Sequence, residues 1–85
     1  MTGKAGIERI ALLQMLAERL ERLNVDSKWA RRASGTRGSV MKTISLFNEG
    51  KDVPQGIVDN LIHKSMEILA KAAREIPEQD EKNTN

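Results

Sequence analysis

The chain has 85 residues and a mass of 9.5 kDa, 39% hydrophobic and 31% charged, with one Trp, one Phe, one His and no Cys. That length supports one small domain and leaves little frame for a catalytic cleft. Without Cys there is no disulfide, thiolate metal site or Cys nucleophile, and the single imidazole, His63, cannot build a His triad or zinc cage, so no enzyme and no cofactor are expected.

No signal peptide is visible at the start, and no apolar run approaches the ~20 residues that span a bilayer, so the expectation is a cytoplasmic protein with no membrane partner. The formal net charge is only +2, but it is unevenly spread. Residues 26–51 hold six bases (Lys28, Arg31, Arg32, Arg37, Lys42, Lys51) against two acids (Asp26, Glu49). Residues 52–85 hold four bases against seven acids, several of them in the run Glu78-Gln79-Asp80-Glu81. The middle third is therefore the electropositive part, and function is sought there.

The first helix is predicted from about Ile7 to Leu23, where Ile7, Ile10, Leu13, Leu16, Ala17, Leu20 and Leu23 recur at the three- and four-residue spacing of one face. Leu12 and Met15 widen that stripe, which implies burial on two sides or a face shared with a partner chain. Ahead of it, Gly3-Lys4-Ala5-Gly6 lacks phosphate-loop spacing and reads as a frayed terminus. The pattern breaks at Asn24-Val25-Asp26-Ser27, where Asp26 or Ser27 is placed to cap a short second helix, Lys28 to Ala33. With Asp26 as the cap, Val25 and Ala30 take the staple positions.

Ser34-Gly35 reads as the stop of that helix, Thr36 as a new cap, and Arg37 to about Phe47 as a third helix with Val40, Ile44 and Phe47 inward. Gly50 breaks the loop Asn48-Glu49-Gly50-Lys51. Asp52 and Gln55 then have capping-box spacing, and a long last helix is expected from about Pro54 to Ile76, ended by Pro77. At ~1.5 Å per residue it exceeds what so small a core needs, which again suggests a partner helix. The expected domain spans residues 1–77, with a disordered polar tail at 78–85.

Two short helices around a Gly-containing turn, about residues 27–47, form a helix-turn-helix candidate. Such a unit lays its first helix across the DNA backbone and aims the start of its second at base edges, which requires a small residue for close crossing, a permissive turn and outward donors. Ala30, Gly35, and Arg37 with Lys42 and Ser45 supply these. With Ala33, Ser34-Gly35-Thr36, Val40 and Ile44 in packing positions and a Pro-initiated helix at Pro54 to Ile62, the stretch from Asp26 to about Leu61 resembles the lambda-repressor and Cro family of phage and plasmid repressors.

The resemblance implies an all-α, four- or five-helix, lambda-repressor-like DNA-binding domain with a long C-terminal helix. Two registers of its recognition helix are open. One turns Arg37, Gly38, Met41, Lys42 and Ser45 outward; the other turns Gly38, Ser39, Lys42 and Ser45 outward. Arg37 is the candidate for a bidentate guanine contact, Met41 for a thymine methyl, and Lys42 for a base or a phosphate. Thr36, Lys28, Arg32, Asn48 and Lys51 are placed near the duplex backbone.

The reading is a dimeric, sequence-specific regulator of transcription that binds double-stranded DNA, as a repressor or autorepressor of a mobile element. A palindromic operator is expected, with half-sites ~10–10.5 bp apart or a multiple of that. The first helix and the long last helix are the expected homodimer surfaces, and no small-molecule ligand is predicted. The rival reading is a helical protein-interaction module such as an antiactivator. RNA binding ranks below both, because only Trp29 and Phe47 could stack on bases. Trp29 itself reads as a core wedge between the first two helices, His63 as partly exposed and unliganded, and Met15 and Met66 as gap-fillers.

Overall fold

The computed structural model describes residues 3–75, and the expected tail at 78–85 lies outside them. Three helices organise this part of the chain: α1 (Ile7–Glu21), α2 (Ala30–Asn48) and α3 (Gln55–Ala73). The all-α class holds. The expected four or five helices become three, because the two short helices around Ser34-Gly35 are one.

The apolar phase explains the difference. Ala33, Val40 and Ile44 are buried and Phe47 is half-buried, at spacings of seven, four and three residues, which is one uninterrupted helical face through Gly35. Packing of that face overrides the low helix propensity of Ser34, Gly35, Gly38 and Ser39. Gly35 keeps a negative φ; the only positive-φ residue among those described is Gly50, at 84°. Gly50 ends α2 as expected. Its N–H donates to the Phe47 carbonyl and the Lys51 N–H to the Leu46 carbonyl, the paired bonds of a Schellman stop.

At the start of α2 the expected cap shifts. The Ser27 hydroxyl accepts the Trp29 N–H at 3.1 Å and helix begins at Ala30, while the Asp26 N–H donates to the Asn24 side chain. Val25, expected to staple the entry, is 87% exposed. The Asp52–Gln55 capping box is not formed either. Asp52 pairs with Lys4, and the Gln55 N–H donates to the Gly3 carbonyl. The N-terminal stretch read as frayed is tied down instead, since the Ala5 N–H reaches the Val53 carbonyl at 2.8 Å and Ala5 is buried. The last helix ends at Ala73, and Ile76 and Pro77 lie outside the described residues.

The helices run up, down and up. Arg9 meets Asp59 near the starts of α1 and α3, and Leu20 shares a cluster with Ile68 toward their ends, so these two are parallel, with α2 antiparallel to both. Ile10, Leu13, Ala17, Val40, Ile44, Val58 and Leu61 fill the larger core layer. Leu20, Ala33 and Ile68 fill the smaller one, with Trp29, Leu23 and Leu69 against it. Leu13, Val40 and Val58 are fully buried, each contributing about 1.5–3 kcal/mol of apolar burial. Ser65 is fully buried with them, and its hydroxyl has no hydrogen-bond partner.

Candidate nucleic-acid interface

With α2 continuous, the positions of the expected site residues follow from one helical wheel at ~100° per residue. Opposite Val40 lie Arg31, Gly35, Gly38, Lys42 and Ser45, all exposed and spaced by three or four residues. Lys28 stands in the turn just before the helix, also exposed. From Ser27 to Asn48 the sequence has no acid. Among the ion pairs of the described residues, none involves Lys28, Arg31, Arg32 or Lys42.

The rest of the expected set divides between the two flanks. Arg37 is half-buried on the α1 side, its guanidinium 3.5 Å from the Glu21 carboxylate and its Nε buried without a partner. It therefore points toward α1 and not along the outer face. Met41, 43% exposed, and Asn48 line the same shallow groove with Gln14 and Glu18 of α1. Thr36 does not cap a helix. It is half-buried on the α3 side, in a groove of about 320 Å³ with Trp29, Arg32, Lys64 and Ile68. Ser39 is exposed, and its carbonyl accepts the Thr43 hydroxyl at 2.9 Å. Lys51 is exposed beside Glu49, 3.8 Å away.

The sequence reading thus placed Gly38, Lys42 and Ser45 on the outer face in both registers, and they are there. It left out Arg31, which falls in phase with Gly35 and Gly38 only if the helix does not stop. It also left out Lys64 and Lys71. The Arg32 guanidinium and the Lys71 ammonium stand 5.3 and 5.1 Å from the centre of the Trp29 ring. Trp29 is half-buried against Leu20, Ala33 and Ile68, so it wedges toward α3 as well as α1. His63 is exposed, and no group of three His, Asp or Glu side chains that could hold a metal occurs among the described residues.

Two features of this face oppose helix stability. Gly35 and Gly38 would each meet nothing within 4 Å if they carried a Cβ, so packing does not require glycine, yet each costs about 1 kcal/mol relative to Ala. Lys28, Arg31 and Arg32 also gather at the positive end of the α2 dipole, with no acid in its first turn. Cations there are unfavourable by about 0.3–1 kcal/mol each. An anion laid along the face would relieve that repulsion. The small side chains of Ser34, Gly35, Gly38 and Ser39 would let a broad anion come close.

Family models, curated proteins and solved structures yield no match to this chain.

Proposed function

We propose that the chain binds double-stranded DNA along the outer face of α2 and its α3-side flank, with Lys28, Arg31, Arg32 and Lys42 neutralising phosphates and Ser39 and Ser45 donating hydroxyl hydrogen bonds. One observation carries this reading. A helix with no acid from end to end turns cations and small residues to solvent and its apolar stripe to the core. Phosphate contacts of this kind supply affinity and orientation, whereas sequence is read by groups that reach base edges, here the hydroxyls of Ser39 and Ser45. Regulation of transcription, as repressor or autorepressor, depends on that readout and is part of the proposal.

Four cations on phosphates give a slope of log affinity against log salt of about −3.6, or a loss of roughly 10²-fold between 50 and 200 mM salt. Fluorescence anisotropy with a labelled duplex measures it. Arg31→Gln and Lys42→Gln should each reduce the slope by about one. Absence of binding in dilute salt, or binding indifferent to both substitutions, would overturn the reading. A protein-interaction module is the second reading, favoured by one feature: Met15 and Met66 expose 42% and 55% of their surface on the α1 and α3 side.

A further inference from the structure

The outer stripe of α1 has an internal symmetry that the duplex reading does not use. Glu8, Met15 and Arg22 are seven residues apart, so at 3.6 residues per turn each falls within about 20° of the last. Glu8, Arg19 and Arg22 are exposed, and the described residues offer none of them an ion-pair partner. Beside the stripe, Leu12, Met15, Met66 and Leu69 line an apolar groove of about 280 Å³. An acid at one end, two bases at the other and a flexible apolar residue at the midpoint make a surface complementary to itself when reversed.

We infer that this stripe is the contact of a two-fold homodimer, in which α1 packs antiparallel on α1 of a second copy with the axis beside Met15. In that register residue numbers across the interface add up to 30. Glu8 of each copy meets Arg22 of the other, and Arg19 lies over Ala11, whose small side chain leaves room for the arginine stem. Met15 meets its own equivalent, with Met66 and Leu69 widening the apolar centre on both sides. The charges fix orientation, since a parallel pairing would set Glu8 against Glu8 and Arg22 against Arg22. The outer face of α2 takes no part, so both cationic faces stay open.

Sedimentation equilibrium of the full chain without nucleic acid tests this apart from duplex binding. The wild type should show a species of about twice the 9.5 kDa chain mass. Glu8→Arg and Arg22→Glu should each weaken association at least tenfold by placing like charges at both ends. The double variant Glu8→Arg/Arg22→Glu should restore it to within about threefold of wild type. Met15→Glu should give monomers with unchanged helical circular dichroism. A wild-type monomer at every concentration, a dimer insensitive to Met15→Glu, or a double variant no tighter than its parents would overturn the inference. A stable complex with a different protein on this face that Met15→Glu abolishes, in a chain that stays monomeric alone, would overturn it in favour of the interaction module.

Discussion

Arg37 turns its guanidinium onto Glu21, 3.5 Å away across the α1–α2 groove, and this contact separates it from Lys42, five residues on and exposed. Both residues are outward donors in one of the two registers of a helix started at Thr36, and Lys42 alone in the other. Five residues apart they stand about 140° from each other on the wheel, and the buried phase of Ala33, Val40 and Ile44 turns Lys42 outward and Arg37 toward α1. Arg37→Ala is therefore expected to leave the salt slope of duplex binding within experimental error, while Lys42→Ala lowers it by about one. Anisotropy titrations at four salt concentrations distinguish the two. A loss with Arg37→Ala equal to that with Lys42→Ala would return the cationic face to the α1 side.

The two glycines read as helix stops give opposite predictions. Gly35 has an ordinary φ and open space where a Cβ would go, so Gly35→Ala should stabilise the fold by about 0.5–1 kcal/mol. Gly50 sits at φ 84°, where a side chain is strained, so Gly50→Ala should destabilise it by about 1 kcal/mol. At roughly 4–8 °C per kcal/mol for a domain of this size, thermal melts should shift in opposite directions. Two shifts of the same sign would contradict the geometry.

That contrast shows how much of the molecule was legible. Gly50 is followed by Lys51, Asp52, Val53 and Pro54, which no helical face can continue, and the sequence reading placed its turn correctly. Gly35 is followed by Val40, Ile44 and Phe47 in phase with Ala33, and that phase decided the matter over local turn chemistry. The core faces of α1 and α3 were readable because no glycine interrupts Ile10 to Leu20 or Val58 to Ile68. Arg31 was missed from the cationic face for the same reason that the turn was placed at Gly35. The pinning of Ala5 to Val53 has no periodic signal, since it is a backbone pairing between segments nearly fifty residues apart.

Ser65 occupies a fully buried position of α3 with its hydroxyl unpartnered. A buried hydroxyl without a hydrogen bond carries a desolvation cost of about 1–3 kcal/mol, and removing one oxygen leaves only a small void. Ser65→Ala should therefore raise stability by about 1 kcal/mol, read as an increased urea midpoint at unchanged slope. A lower midpoint would mean that the hydroxyl is satisfied in solution.

Lys4 and Ala5 are neighbours whose contributions differ in kind. Lys4 makes an ion pair with Asp52 at 3.2 Å, but both side chains are more than 70% exposed, and solvent screens such pairs to a few tenths of a kcal/mol. Ala5 makes no charged contact, yet it is 5% exposed in the main core cluster, and its N–H is paired with Val53. Lys4→Ala should leave the thermal midpoint within about 2 °C, in line with a change of at most 0.5 kcal/mol. Ala5→Asp places a carboxylate among Val53, Val58 and their neighbours, where no cation is within the core to meet it, and should cost at least about 2 kcal/mol. The melt of Ala5→Asp should fall by 8 °C or more on the same scale. Equal, small effects from both substitutions would mean that the segment before α1 does not hold its place against α3.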